Sequence, residues 1–115
     1  VTGLIDFYFA ATDFRAYDLA ITHAAWTFSA DGSNCDAARA QALVRGYLCE
    51  IALTDAEHAD LPTLARGAAL RFLLTRAHDW VHTPADALVT RKDPSPFLSR
   101  LLRYRADDAA SLFAA

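Results

Sequence analysis

Two rhythms of apolar residues run along this chain. Residues Gly3-Leu4-Ile5-Asp6-Phe7-Tyr8-Phe9 form a short continuous apolar run, β-branched and aromatic, with one carboxylate inside it. Such a run predicts a buried strand, although periodicity alone leaves a buried helix open. From there on the spacing is helical. Asp13 is placed to cap a helix over 14–29, with Tyr17, Ala20, Ile21, Ala24 and Phe28 on one face. Asp18 lies roughly 100° around that helix from Tyr17, beside the stripe and not opposite it. The tetrapeptide Ala30-Asp31-Gly32-Ser33 reads as a turn.

A second amphipathic helix follows, capped by Asn34 or Asp36. Its apolar face is Ala40, Leu43, Val44, Tyr47, Leu48 and Ile51, with Arg39, Gln41, Arg45 and Glu50 outward. Thr54-Asp55-Ala56-Glu57 is a capping-box pattern that predicts a short helix. Asp60-Leu61-Pro62 then restarts a long helix over 61–82, since proline is tolerated in a first turn. Leu70, Leu73, Leu74, Ala77, Trp80 and Val81 face one way on it. Leu61, Leu64, Ala65, Ala68 and Phe72 cover more of the circumference, which predicts burial on more than one side. Trp26 and Trp80 are expected in the core. Pro84 ends this helix. Asp93-Pro94 reads as the cap and first residue of the next, with Phe97, Leu98, Leu101 and Leu102 on its apolar face. The alanine-rich residues 106–115 should fray unless Leu112 and Phe113 dock on something.

Composition narrows the class. The chain has 115 residues, 54% hydrophobic and 22% charged, which fits one small folded domain and excludes disorder. Its formal charge of −3 gives no global basic field, so no nucleic-acid partner is expected. No apolar run approaches membrane-spanning length, so no membrane partner is expected either. Cys35 and Cys49 are read as reduced thiols, consistent with a cytoplasmic location. The sequence opens on Val1-Thr2, almost inside the strand-like run, and no other strong strand follows. Strands need neighbours for their backbone groups. The chain is therefore expected to be a piece of a larger protein whose partner strands lie upstream.

Candidate chemistry is sparse. An ionised carboxylate in an apolar run is costly unless paired, hydrogen-bonded or metal-bound. Asp6 is thus either a strand-end cap or a metal ligand or catalytic carboxylate. His78 and His82 have the spacing of two imidazoles on one ion, but Asp79-Trp80-Val81 stands where a zinc-protease helix carries its glutamate, so zinc is not expected. Neither cysteine has a close-paired ligand spacing, and the four glycines are isolated, so phosphate-cradling loops are absent. Arg71, Thr75, Asp79 and His82 make a narrow polar stripe on the long helix. It is either solvated or lines a cleft.

Two motifs carry a resemblance. The Ile5-Asp6-Phe7 strand end followed by Tyr17-Asp18-Leu19-Ala20 resembles the aminoglycoside-phosphotransferase and choline-kinase branch of the protein-kinase-like fold. Longer strings narrow it: Gly3 to Ala10, Ala65-Arg66-Gly67-Ala68-Ala69-Leu70-Arg71-Phe72-Leu73-Leu74-Thr75-Arg76, Thr83-Pro84, Ala87-Leu88-Val89-Thr90 and Lys92-Asp93-Pro94 look like the bacterial homoserine kinases of that fold. The resemblance covers nearly the whole chain to about Tyr104.

It implies a mainly α unit over residues 1–115, the helical part of a protein-kinase-like C-lobe with one N-terminal β-strand. It also implies ATP-dependent phosphorylation of the side-chain hydroxyl of L-homoserine, in threonine biosynthesis, with ATP and Mg2+. By the same resemblance Asp6 is a magnesium ligand, Ile5 borders the nucleotide base, and Asp18 braces the catalytic loop from beneath. The family's catalytic loop, with its base and second metal ligand, and the nucleotide-gripping N-lobe would lie upstream as partner segments. His58-Ala59-Asp60 copies the opening of that loop, but the position five further on is Ala65, not asparagine. It is read as a helix start. On this reading Arg71, Thr75 and Asp79 are candidates to hold the carboxylate and ammonium of homoserine, and the isolated chain should be inactive. Two alternatives stay open: another small-molecule kinase of the same fold, and a non-catalytic helical scaffold or interaction module.

Overall fold

In the computed structural model, which describes residues 2–3, 5, 11–84 and 86–115, four α-helices and one 3-10 turn surround a small core. The helices are α1 (Arg15–Trp26), α2 (Ala37–Glu50), α3 (Asp55–His82) and α4 (Ser95–Tyr104), and the 3-10 turn is Ala109–Phe113. Most of the expected strand, Asp6 included, lies outside the described residues; Gly3 and Ile5, which are described, belong to no strand, and Ile5 is exposed. Among the described residues the only β pairing is an isolated antiparallel bridge between Phe28 and Cys35.

The central beam is α3. Its start follows from sequence: the Thr54 hydroxyl accepts from the Glu57 N–H at 3.2 Å, and the Glu57 carboxylate accepts from the Thr54 N–H at 2.8 Å. This reciprocal cap satisfies two of the orphan donors of a helix start. The expected break at Pro62 does not occur. One helix of 28 residues runs straight through it from the Thr54 cap. Proline deprives the His58 carbonyl of its i+4 donor, but two turns of capped helix are already in place before it. Leu61, Ala65, Ala68 and Ala69 are fully buried. Three of these four are alanines, and their small side chains let neighbouring backbone approach closely.

Against this face pack α1 and α4. The buried stripe of α1 is Ala16, Leu19, Ala20, His23 and Ala24; of the face expected, Ala20, Ala24 and Phe28 are buried, while Tyr17 and Ile21 are only half-buried. The helix begins one residue later than expected, at Arg15. Phe14 holds the N-cap position without a side-chain cap bond, while the Asp13 carboxylate accepts from the Phe14 N–H at 2.7 Å. From α4 come Phe97, Arg100 and Tyr104, where Leu98 and Leu102 had been expected and are exposed. Phe97 stacks on Phe72 of α3 with centroids 5.1 Å apart, and Arg76 lies 4.5 Å over the Phe97 ring. The Asp93 carboxylate accepts from the Ser95 N–H at 2.8 Å, so it caps α4 from one residue before Pro94. Trp26 and Trp80 are 69% and 46% exposed, which corrects the expectation that they are core residues.

Asp36 caps α2 by accepting from the Arg39 N–H at 3.0 Å. Ala40 and Val44 of α2 are buried, and the rest of its expected apolar face is half-buried. Gly32, at φ 74°, turns the α1–α2 connection against the backbone of Pro96, where any Cβ would collide. The 3-10 turn closes the core. Phe113 is buried and sits 4.4 Å, ring to ring, from His23.

His23 is the polar centre of this core, fully buried. Its Nε2 donates to the Leu112 carbonyl at 3.1 Å, and because a carbonyl can only accept, Nε2 must carry the proton. Nδ1 then accepts from the Tyr104 hydroxyl at 2.7 Å. The Thr27 hydroxyl donates to the His23 carbonyl at 2.8 Å. Burial pushes the imidazole pKa down to about 4, against a smaller upward pull from the Leu112 carbonyl.

Candidate functional site

The residues singled out from sequence fall into three places. Ile5 is 90% exposed, and Asp6 beside it lies outside the described residues. Asp18 and Arg71 come together: both line a cavity of about 320 Å³ at the start of α1, with Ala11, Asp13, Phe14 and Tyr17. Asp79 does not join them. It lines a separate cavity with Arg76, His82, Arg91 and Lys92. Thr75, exposed on α3, donates its hydroxyl to the Arg71 carbonyl one turn back at 2.9 Å. The polar stripe on α3 is therefore divided, with Arg71 serving one cavity and Asp79 and His82 another.

The first cavity combines opposite charges that do not cancel one another. Among the described residues, the side-chain ion pairs are Arg15–Glu57, Arg39–Asp36, His78–Asp79 and Arg103–Asp108. Arg71, Asp13 and Asp18 take part in none of these. Asp18 is exposed on α1, and its charge is felt by Tyr47 of α2. The Tyr47 phenol is held above its ordinary pKa first by burial and then by that carboxylate. Tyr47 in turn donates to the Arg15 carbonyl at 2.8 Å, which ties α2 to the first turn of α1. Sequence reasoning placed Asp13 as a helix cap and missed it as a cavity residue. Its position one residue before the cap, on the same end of α1 as Asp18, was the available signal.

No metal centre assembles from the described residues: no group of three or more His, Cys, Asp or Glu side chains is gathered closely enough to hold an ion. His78 and His82 stack with ring centroids 4.1 Å apart, and His82 Nδ1 donates to the His78 carbonyl at 2.8 Å. Cys35 and Cys49 are free thiols. No helix among the described residues is long and apolar enough to cross a membrane.

No protein-family model matches the chain. Individual relatives do. Over 106 residues it is 61% identical to the homoserine kinase of Gluconacetobacter diazotrophicus, covering 92% of this chain and 33% of that protein. It is 58% identical over 106 residues to the homoserine kinase of Gluconobacter oxydans, with the same shares covered. It is 56% identical over 110 residues to the homoserine kinase of Zymomonas mobilis, covering 96% of this chain and 34% of that protein. The chain is similar to homoserine kinases. It spans about a third of the length of these curated relatives. The matched region takes in most of the chain, so it includes helices α1 to α3 and the charged cavity between α1 and α3.

Proposed function

We propose that this chain is the helical C-lobe part of an ATP-dependent kinase of the protein-kinase-like fold that phosphorylates the side-chain hydroxyl of L-homoserine. The observation that carries this reading is the identity of 56–61% to three homoserine kinases along nearly the whole chain. The mainly helical architecture and the charged cavity fit a lobe that shapes an acceptor pocket. On this reading Asp18, exposed at the start of α1, accepts hydrogen bonds from the backbone of a catalytic loop contributed from elsewhere in the protein. Ile5 borders the nucleotide base and Asp6 is one ligand of a magnesium ion. When bound, that ion would offset the charge that develops on the transferring phosphoryl group. The described residues do not form a cation site by themselves. The rest of the metal site and the base that takes the hydroxyl proton belong to the remaining two-thirds of such a protein.

The test is a coupled ADP-release assay on the full-length protein containing this segment, comparing homoserine, choline, methylthioribose and an aminoglycoside. Homoserine should be preferred by at least about tenfold in kcat/KM, or about 1.4 kcal/mol of transition-state discrimination. Preference for another acceptor would overturn the homoserine assignment and keep the kinase one. In the same assay Asp6→Asn should lower kcat by about 100-fold or more with the fold intact by circular dichroism, in line with the several kcal/mol a catalytic metal supplies.

A further inference from the structure

The charged cavity at the start of α1 distinguishes among the residues that could hold an acceptor. A small zwitterionic amino acid needs a cation for its carboxylate and an anion for its ammonium, held apart so that they do not quench each other. Arg71 is the cation that faces this cavity without an ion-pair partner among the described residues, since Arg15 is drawn to Glu57 at 3.6 Å. Its guanidinium stands 5.3 Å over the ring of Phe72, while the Thr75 hydroxyl is engaged by the Arg71 backbone carbonyl. Arginine presents two parallel donors that match a carboxylate. Two carboxylates line the same cavity. Asp18 is, on the reading proposed above, engaged by the backbone of a catalytic loop. Asp13 is held at the mouth by the bond from the Phe14 N–H to Oδ1, which leaves Oδ2 without a partner among the described residues. At about 320 Å³ the cavity is at the lower end of small-molecule sites, roughly 300–1,000 Å³.

We propose that Arg71 and Asp13 form the clamp for the carboxylate and ammonium of an α-amino-acid acceptor, and that Thr75 and Asp79 do not touch it. This rests on the reading of the chain as part of a homoserine kinase, and it adds which side chains read the acceptor. The hydroxyl that receives the phosphoryl group is then the end of the acceptor left pointing out of the clamp.

The experiment uses the full-length protein, with homoserine and its decarboxylated amino alcohol as paired acceptors. Arg71→Ala should raise KM for homoserine on the order of 10- to 100-fold, as loss of hydrogen bonds between charged groups does. KM for ATP and the melting temperature should stay unchanged. The wild-type preference for homoserine over the amino alcohol should collapse in Arg71→Ala and be partly restored in Arg71→Lys. Asp13→Asn, which keeps the acceptor for Phe14, should raise KM for both acceptors alike. Arg66→Ala, an exposed arginine on the same helix whose side chain bonds Thr63, serves as the unchanged control. An unaltered homoserine KM in Arg71→Ala would overturn the clamp. So would a loss carried by Thr75→Val or Asp79→Asn instead. A wild-type protein that leaves homoserine unphosphorylated refutes the kinase reading and the clamp together; one that is active while Arg71 variants keep wild-type KM refutes the clamp alone.

Discussion

His23 shows how one side chain can dominate a small core. Folded, it is neutral, with one nitrogen donating to Leu112 and the other accepting from Tyr104. An unfolded chain binds a proton at this residue near the ordinary histidine pKa of about 6.5. Its folded pKa lies lower, at about 4, so between these values the unfolded state holds more protons and stability falls as pH falls. The loss should total about 3 kcal/mol and level off below pH 4. His23→Leu should be less stable than wild type at neutral pH, because it strands the Tyr104 hydroxyl and the Leu112 carbonyl. Between pH 7 and 4 the gap between the two urea midpoints should narrow. A gap that stays constant would show that His23 is not the titrating group. Asp31, Glu57 and Asp93 do not confuse this comparison. Hydrogen bonds from Ser29, Thr54 and Ser95 lead in holding their carboxylates below the usual range, and both variants share them.

At the scale of elements, two helix caps were legible where the Asp13 cap, the start at Pro62 and the buried faces were not. The Thr54–Glu57 cap and the Asp36 cap depend on residues three apart in sequence, and both form as expected. Thr54→Ala should lower stability by about 1 kcal/mol, readable as a shift in urea midpoint without a change in slope. The faces were harder because polar residues occupy the core. With His23 counted as polar, the α1 stripe was rotated toward Tyr17 and Ile21. The stripe of α4 likewise missed Arg100, which lies 4.5 Å over Phe97 and donates to the Ser29 carbonyl at 3.2 Å. Such a guanidinium buries its flat face against aromatic rings and keeps a backbone partner, and hydrophobicity patterns do not register this. The unbroken α3 was hidden for a different reason. Proline signals a helix start locally, and only packing along the whole face shows that the helix can absorb one lost bond. Of the candidate site, Asp18 and Arg71 could each be picked out from sequence, for separate roles and without the cavity they share. The separation of Arg71 from Asp79 could not, because it depends on where α1 and the residues after Thr83 lie.

As a whole molecule, the chain carries a core, a charged cavity and a set of large apolar side chains facing outward, among them Phe14, Leu70, Leu74 and Val81. It contains no residue in the role of catalytic base on the proposed reading. The purified 115 residues should therefore bind neither nucleotide nor acceptor productively, and ATP turnover with homoserine should stay at the no-protein background in a coupled assay. Measurable turnover by the fragment would relocate the base into this chain and overturn the assignment of roles made above.

The bond from His23 to Leu112 joins positions 89 residues apart. Its importance extends to the order in which the protein can be made. At roughly 5–20 residues per second, a ribosome takes roughly 5–20 s to travel that distance. For that interval the His23 end of α1 has emerged without the Leu112 and Phe113 that seal it. Local contacts cannot shorten the wait, because the missing partners have not been synthesised. A nascent chain of this kind spends seconds with apolar surface uncovered, the interval in which a chaperone or a neighbouring chain can reach it first.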